Sequence, residues 1–433
     1  MKTSVAQAIA PFIDQLLGGD LPIDIQCWDG SRIGPPSTDA HIVLNSPNAL
    51  RRLLYSPNEL GFGRAYVSGE LDIRGDIFSA LELRERLVGV QRELRLDRAT
   101  RAALIRAARS TGALGLPLRR PSEEARLSGR LHSLRRDRAA IAHHYDVSNA
   151  FYRLVLGSTM TYSCAVFAEP TATLEEAQTA KHDLVARKLG LESGMRVLDV
   201  GCGWGGFLVH AASTYGVSGV GITLSEAQAD VAEKRIAEAG LADKVEIRVQ
   251  DYRDVRDGPF DAISSIGMFE HVGLARLNDY FANLHGLLSS QGRLLNHAIS
   301  RPPGPPGFNK RSFVSRYVFP DGELHEVGSV VSAMQTHGFE VRDVESLREH
   351  YALTLRAWVT NLEDNFEEAV ALVGQPRARI WRLYMAGAAV NFEDGGINVH
   401  QVLGVKPGPR GASGMPPTRR ELLPAEGGLG QIS

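Results

Sequence analysis

The sequence predicts an α/β protein: a mostly parallel, seven-stranded sheet covered by helices, with a smaller mixed α+β domain before it. From about residue 138 to residue 407, short apolar runs alternate with helix-like segments. Such alternation is typical of parallel strands joined by crossover connections. The chain has 433 residues, which exceeds what one hydrophobic core usually supports, so two domains are expected.

The N-terminal domain is predicted to span residues 1–83. Val5–Leu17 has the pattern of a helix, Ile23–Trp28 and Ala40–Leu44 those of strands, and Gly and Pro residues separate them. At the other end, residues 408–433 are rich in Pro and Gly. We expect this last stretch to be a disordered tail.

The larger domain, 138–407, contains seven apolar runs bounded by turn residues. Two helix-like segments, Phe207–Tyr215 and Ser225–Ala239, separate the first three runs. The predicted strands are Arg196–Val200, Val217–Ile222, Val245–Val249, Phe260–Ile266, Arg293–Ala298, Gly338–Val341 and Val399–Val405.

An Arg-rich segment lies between the two domains, and residues 84–137 are predicted to form a helical linker. From Arg84 to Arg138 there are fifteen Arg, no Lys and six acids, a net charge of +9; because the chain nets −2, the rest carries −11. A helix of this composition can lie on an anionic membrane surface. A solvated helix that packs its Leu and Ala face on a neighbour explains the pattern equally well. Nucleic acid is a weaker interpretation, because aromatic residues for base stacking are lacking.

The apolar runs, the N-terminal residues and the cysteines bear on the cellular compartment and on metal binding. No run of eighteen apolar residues is present, and Met1–Ala10 lacks the apolar stretch of a secretory signal. Cys27, Cys164 and Cys202 are too few and too scattered for a disulfide framework or a zinc cluster. We therefore expect a cytoplasmic protein without a metal site.

A glycine-rich loop, Asp199–Gly206, follows the first strand of the larger domain and precedes a helix. Glycines there let the backbone turn tightly and approach a ligand. Alone, the loop fits a dinucleotide enzyme or a methyltransferase. The second strand ends in Gly221–Ser225, without the acid that a dinucleotide enzyme offers to ribose, and the glycines are spaced Gly-x-Gly-x-Gly-Gly rather than Gly-x-Gly-x-x-Gly. Both features favour a sulfonium cofactor over a nicotinamide.

A sulfonium cofactor also needs polar contacts for its ribose and a flat partner for adenine. Thr223 and Gln228 follow the second strand, and Tyr252 follows the third. Because the carboxyl ends of parallel strands meet at one edge of the sheet, these side chains are candidates for those contacts.

Seven separated blocks of sequence, in order, resemble the cyclopropane-fatty-acyl-phospholipid synthases and are similar to the mycolic acid cyclopropane synthases. The resemblance runs from about Ala140 to Val405 and implies a Rossmann-like S-adenosylmethionine-dependent methyltransferase domain. The blocks are His143–Asn149, Met160–Ala165, Val197–Gly205, Gly221–Gln228, Met268–Gly273, Tyr317–Gly322 and His350–Leu355.

The resemblance implies a set of site residues. For S-adenosylmethionine they are Tyr162 and Ser163 at the methionine end, Val197, Asp199, Gly201, Gly203 and Gly205 in the loop, Thr223, Leu224 and Gln228 at the ribose, and Tyr252 and Arg253 at the adenine. For a bicarbonate ion beside the reacting carbon they are Glu270, His297 and Tyr351, with backbone groups near Cys164 and Ile299.

The implied reaction adds a one-carbon unit to the cis double bond of an unsaturated phospholipid acyl chain. It passes through a carbocation, and bicarbonate is the base that allows ring closure. The +9 segment predicts peripheral contact with the inner face of an anionic membrane, and a homodimer is left open. Three alternatives also stay open: a methyl-branched or methylene lipid product, a soluble small-molecule substrate, and a lipid-binding protein without turnover.

Two positions depart from the family pattern. Members often carry a Cys where this chain has Ala388, so no thiol can act there, which favours bicarbonate. The segment Asn391–Asp394 is acidic where Arg is common, so contacts with the acyl chain or the lipid headgroup are expected to differ.

Overall fold

The computed structural model describes residues 3–17, 21, 23–35, 38–81, 97–125, 148–304, 312–320 and 322–422. The chain divides into two compact units. The first is drawn from Met1–Arg126, Asn309–Pro320 and Leu362–Val390, and the second from Leu127–Phe308, Asp321–Asn361 and Asn391–Ser433. The predicted boundaries near residues 83 and 137 lie in or beside segments outside the described residues, and they stay predictions.

The first unit contains a four-stranded sheet with the order β2-β1-β3-β4. Strand β1 pairs in parallel with β3, and the two outer pairs are antiparallel. The strands are β1 (Asp24–Gln26), β2 (Arg32–Ile33), β3 (Ala40–Leu44) and β4 (Leu71–Gly75); the helices of its N-terminal stretch are α1 (Val5–Leu17), α2 (Asn48–Tyr55), α3 (Glu59–Val67) and α4 (Arg98–Ser110).

Within the described part of the Arg-rich segment, residues Arg98–Ser110 form helix α4. Its buried face is made of Thr100, Ala103, Leu104, Ala107 and Ala108, and the helix packs on α1. The Arg side of α4 faces solvent. For this helix, therefore, the Leu and Ala face is covered by a neighbour. Residues 84–96 and 126–138 of the same segment lie outside the described residues.

The second unit carries the seven-stranded sheet. Its strands are β5 (Arg196–Val200), β6 (Ser218–Thr223), β7 (Val245–Val249), β8 (Phe260–Ile266), β9 (Leu288–Ser300), β10 (Glu340–Ser346) and β11 (Asn398–Val405). The later helices of the chain are α5 (Asn149–Leu156), α6 (Leu174–Leu189), α7 (Gly206–Tyr215), α8 (Glu226–Glu238), α9 (Leu277–Leu287), α10 (Phe313–Tyr317), α11 (Val327–Thr336), α12 (Arg348–Asp364), α13 (Phe366–Val373) and α14 (Gln375–Glu393).

The strand order of this sheet is β10-β11-β9-β8-β5-β6-β7. Strands β5 to β9 pair in parallel, whereas β11 pairs antiparallel with both of its neighbours. The predicted α/β class and the mostly parallel seven-stranded sheet are confirmed.

Helices cover the sheet on both sides because side chains alternate along each strand. On one side, Leu198 and Val200 of β5 pack with residues of α9 and α11. On the other side, Val197 packs with residues of α6 and α7. This three-layer packing leaves the carboxyl ends of β5, β6 and β8 as an open edge where loops can form a site.

Residues 362–390 follow the large domain's helices in sequence, yet they group with the first unit. Two arginines of α14 explain this grouping. Arg379 donates to Tyr66 O at 2.8 Å and to Asp72 Oδ2 at 3.0 Å. Arg382 donates to Ile73 O at 3.0 Å. The buried guanidinium groups therefore bind the end of α3 and the backbone of β4.

Part of the predicted disordered tail has defined contacts. Arg293 donates to Gly414 O at 3.1 Å, Arg342 donates to Ser413 Oγ at 3.2 Å, and Met415 packs against the core of the second unit. Residues 408–422 are thus held in place by these groups, whereas 423–433 lie outside the described residues. Among the helices that the structure describes, none combines the length and the apolarity needed to cross a bilayer.

Candidate active site

Three alternate residues of the loop after β5 are glycines, and each adopts a backbone conformation that favours glycine. Gly201, Gly203 and Gly205 have φ values of +80°, +54° and +77°, a region that other residues rarely adopt. A Cβ on Gly201 would lie 2.8 Å from Met268 Cβ, whereas a Cβ on Gly203 would meet nothing within 4 Å. The loop therefore opens space above the strand end at Gly203, as a bound ligand requires.

This loop forms one wall of a cavity in the second unit. Ten of the twelve predicted cofactor residues line it: Tyr162, Ser163, Asp199, Gly201, Gly203, Thr223, Leu224, Gln228, Tyr252 and Arg253. Val197 and Gly205 are not among its lining residues. Val197 is fully buried in the core, and Gly205 instead caps the start of α7.

The polar residues at the end of β6 and just after it are held in one arrangement. Thr223 Oγ1 donates to Gln228 Oε1 at 2.8 Å, and Ser225 N donates to Thr223 Oγ1 at 3.2 Å. The Gln228 carbonyl oxygen accepts from Thr223, and no described residue accepts from its NH2 group, so Gln228 can donate to a ligand. Gln228 is therefore suited to donate to a ribose hydroxyl.

The residues after β7 form the next part of the wall. Arg253 makes two hydrogen bonds to Asp251, Nε to Oδ1 at 2.8 Å and Nη2 to Oδ2 at 2.7 Å. Its guanidinium carbon also lies 5.4 Å from the centre of the Tyr252 ring. Asp251 lines the cavity and was not among the predicted site residues. The signal was available, since it precedes Tyr252 directly at a strand end.

Lys181 is a second residue that the sequence reasoning missed. It lies on α6, lines the cavity, and is only 1% exposed. Its Nζ donates to Ser163 Oγ at 3.1 Å. Burial lowers the Lys181 pKa to about 7. Burial also raises the pKa of neighbouring Asp199 to about 6, although the Ser264 hydroxyl donates to Asp199 Oδ1 at 2.7 Å.

Glu270 lies just beyond β8, between cavity residues Met268 and His271. Its Oε1 accepts a hydrogen bond from Ile299 N at 2.7 Å. Its Oε2 is buried and has no hydrogen-bond partner among the described residues. Burial raises the Glu270 pKa to about 7, which the Ile299 N–H partly opposes. The structure thus brings the predicted residues Glu270 and Ile299 into direct contact.

His297 lies on β9, two residues before Ile299 and on the same face of the strand. Its Nδ1 lies 3.2 Å from Gln401 Nε2. In this orientation of the Gln401 amide, its NH2 group donates to Nδ1 and the ring proton is on Nε2. His297 Nε2 is buried without a partner among the described residues. Burial lowers the His297 pKa to about 3, so the ring is neutral.

Tyr351 and Cys164 are joined to this region through α12 and β11. The Cys164 thiol contacts Leu347 O at 3.6 Å, and Leu347 N donates to Val399 O at 3.0 Å. Val399 is the β11 partner of Ile299. Tyr351 stands at the start of α12, with its ring 4.7 Å from that of Phe392. Backbone contacts thus connect the segments that carry the five predicted catalytic residues, but none of the five is among the described residues that line the cavity.

Thiol chemistry has no support in this arrangement. Cys27, Cys164 and Cys202 are all buried, and burial raises the pKa of each thiol. Ala388, which stands where the resemblance places a Cys in many members, lies on α14. Glu393, in the segment that is acidic where Arg is common, accepts two hydrogen bonds from Arg356.

Comparison with known proteins identifies the family of this chain. The family model described as mycolic acid cyclopropane synthetase matches residues 132–402. A probable fatty acid methyltransferase of Mycobacterium tuberculosis is 43% identical over 405 residues, which cover 92% of this chain and 94% of that protein. A probable fatty acid methyltransferase of Pseudomonas putida is 41% identical over 411 residues, covering 93% and 96%.

Solved structures show the same relationship. A mycolic acid cyclopropane synthase complexed with SAH and CTAB is 37% identical, with a TM-score of 0.59, and the match covers 62% of this chain and 98% of that one. The family match spans more than half of the chain, and the strand order and glycine loop are those of the predicted Rossmann-like domain. The chain belongs to the mycolic acid cyclopropane synthetase family of S-adenosylmethionine-dependent methyltransferases.

Proposed function

We propose that this enzyme transfers a one-carbon unit from S-adenosylmethionine to the cis double bond of an unsaturated phospholipid acyl chain and closes a cyclopropane ring. Two buried polar atoms without a partner among the described residues, Glu270 Oε2 and His297 Nε2, carry the proposal. Glu270 lies between Met268 and His271 in the sequence, and those two residues line the cavity formed by the glycine loop. Ring closure requires a base that removes a proton from the added methyl carbon, and buried polar groups could hold such a base.

The cavity residues fit the cofactor. S-Adenosylmethionine would supply an electrophilic methyl group on a positively charged sulfur. The glycine loop lets the ligand approach the end of β5, and Gln228 offers an amide donor to the ribose. Orientation is the main contribution of these residues, because an alkene is a weak nucleophile and must meet the methyl group in line.

The two unpartnered atoms fit a small oxyanion with a hydroxyl group. His297 offers a neutral N–H donor, and Glu270 offers an acceptor when ionised. Bicarbonate would supply a base that is small enough for an apolar site. We infer that Glu270, His297 and Tyr351, with the backbone near Cys164 and Ile299, hold it. Because Ile299 N already donates to Glu270, its N–H orients the carboxylate.

A specific observation favours a second candidate. The relatives that match over nearly the whole chain are named fatty acid methyltransferases, whereas the mycolate enzymes match only about 60% of it. A methyl-branched or methylene lipid is therefore the alternative product. The cyclopropane and the methylene lipid arise from the same cation, and both lose a proton from the added methyl carbon. The methylene lipid forms when a hydride first shifts from the methylated carbon to its neighbour, and a saturated methyl-branched lipid would need a further hydride donor.

Purified protein, S-adenosylmethionine and vesicles of a defined monounsaturated phospholipid test both candidates. We expect the lipid to gain the mass of one CH2 group and to lose its reactivity toward olefin-specific reagents. A product that keeps an olefin favours the methylene lipid. Ser163→Ala is the control for cofactor dependence. Transfer to a water-soluble acceptor, with no change in the lipid, would exclude the proposal.

We also propose that the protein binds the inner face of an anionic membrane through a loop of the first unit, residues 112–120. Leu116 is 85% exposed and Leu114 is 42% exposed. Arg51 donates to Ala113 O at 2.9 Å, and Tyr55 donates to Gly115 O at 2.8 Å. The loop therefore holds its leucines in solvent in a fixed conformation, and exposed Arg119 and Arg120 follow directly. Apolar side chains flanked by arginines suit an anionic lipid surface.

Vesicle sedimentation tests this loop. Binding to anionic vesicles should exceed binding to zwitterionic ones and weaken as salt rises. Leu116→Ser should reduce binding, whereas Leu372→Ser, a partly exposed leucine in α13, should leave it unchanged. Equal binding by both variants would exclude the loop, and binding that ignores both salt and lipid charge would exclude the electrostatic contribution.

A further inference from the structure

Two buried lysines on the same helix have contrasting surroundings. Lys188 on α6 is 3% exposed and pairs with Asp343 at 2.9 Å and Glu345 at 2.5 Å. Lys181, two turns earlier, is 1% exposed, and among the described residues no carboxylate forms an ion pair with it. A buried ammonium with unused donors is costly unless a partner is present. Lys188 thus has two carboxylates at ion-pair distance, whereas the described partners of Lys181 are the Ser163 hydroxyl and, at longer range, the carboxyl group of Asp199.

Lys181 lines the cavity and touches the residue assigned to the methionine end of the cofactor. Its Nζ donates to Ser163 Oγ at 3.1 Å. A hydroxyl oxygen that accepts from an ammonium keeps its own hydrogen free to donate elsewhere. The Ser163 hydroxyl is therefore oriented as a donor, and a cation lies directly behind it. Such an arrangement suits a carboxylate.

We propose that Lys181 is the positioning residue that makes this end of the cavity selective for a ligand carboxylate, by fixing Ser163 as a donor and by placing a positive charge behind it. The proposal rests on the proposed function, because it takes S-adenosylmethionine as the ligand. Beyond that function, the proposal assigns to Lys181 the recognition of the carboxylate in the cofactor's amino-acid tail. Lys181 would stabilise the bound cofactor and would not take part in the chemical step.

The charge on Lys181 depends on pH. Burial lowers its pKa to about 7, so the ammonium is present below neutral pH and is lost as pH rises through 7. A bound carboxylate favours the ammonium, so binding above pH 7 takes up a proton. The titratable groups that interact with Lys181 are Cys164 in the segment before α6, His182 on α6, Asp199 on β5, His210 on α7 and His297 on β9.

Two ligands that differ at the tail test the proposal. S-Adenosylhomocysteine carries the amino-acid tail, and 5′-methylthioadenosine lacks it. Calorimetry should show that Lys181→Met weakens binding of S-adenosylhomocysteine by about 10–100-fold, the usual effect of losing a charge-assisted hydrogen bond, and changes binding of methylthioadenosine little. Ser163→Ala should show the same selectivity, and Lys181→Arg should restore part of the affinity.

The pH series gives a readout that a structural role would not change. Wild-type affinity for S-adenosylhomocysteine should fall as pH rises from 6 to 9, while affinity for methylthioadenosine stays flat; in Lys181→Met both should be flat. Equal weakening of both ligands by Lys181→Met would overturn the proposal, as would an unchanged affinity for S-adenosylhomocysteine.

If Lys181→Met does not fold, Ser163→Ala and the wild-type pH series decide. A wild-type protein that binds neither ligand would instead overturn the proposed function.

Discussion

Replacing Glu270 with Gln should stabilise the protein at alkaline pH while it removes activity. The Glu270 side chain is 9% exposed, and burial raises its pKa from 4.5 to about 7. Each pKa unit corresponds to about 1.4 kcal/mol, so ionised Glu270 destabilises the folded state by about 3 kcal/mol. The Gln variant avoids this penalty, and its amide oxygen can still accept from Ile299 N.

The sign of the effect depends on pH. A carboxyl with a raised pKa destabilises the fold fully above about pH 7, partly between 7 and 4.5, and not at all below 4.5, where both states are protonated. The variant should therefore gain about 2–3 kcal/mol over wild type at pH 8 and almost nothing at pH 4.5. Activity on unsaturated phospholipid should be lost at every pH.

Urea denaturation at several pH values, in buffer free of bicarbonate, measures this difference. Glu238→Gln is the matched control, because that carboxyl is 64% exposed and should show no pH-dependent gain. A destabilised Glu270→Gln variant at pH 8, or a gain that is the same at pH 8 and pH 4.5, would refute the reasoning. Added bicarbonate should stabilise the wild type and not the variant.

Other predictions follow from the same residues. Because the His297 pKa falls from 6.5 to about 3, wild-type stability should decline as pH drops below 6.5, by up to about 1.4 kcal/mol per unit; His297→Gln should flatten that decline in denaturation experiments. Gly201→Ala should abolish calorimetric binding of S-adenosylhomocysteine, because its Cβ would collide with Met268 at 2.8 Å. Arg382→Met should lower the free energy of unfolding of the first unit by about 2–4 kcal/mol, since the backbone carbonyls of β4 lose their buried donor; proteolysis of that unit should become faster while binding of S-adenosylhomocysteine stays intact.

The sequence was most informative where local chemistry determines local structure. The predicted bounds of β5, Arg196–Val200, are those observed, because an apolar run ended by glycine has few alternatives. The spacing of Gly201 and Gly203 corresponds to positive φ values, which only glycine adopts readily. Each of these features depends on residues that are adjacent in the chain.

Contacts between distant segments were not predictable in the same way. Lys181 stands in an ordinary helical pattern, and only folding brings it to Ser163. Arg379 reaches Asp72, more than three hundred residues away in the chain. Neither pairing leaves a local signal, because hydropathy and spacing describe a single element and not its partner.

Two buried groups of this enzyme have pKa values of about 7 and carry their charges on opposite sides of that pH. Lys181 holds a positive charge below about pH 7, whereas Glu270 is an ionised acceptor above about pH 7. Each ligand would supply a further partner: a carboxylate for the ammonium of Lys181, and the hydroxyl of an oxyanion as a hydrogen-bond donor for Glu270. An unliganded site that lacks both partners carries the cost of both buried groups. Stability is thus coupled to occupancy of the site, so the two ligands should protect the fold most strongly on opposite sides of neutral pH.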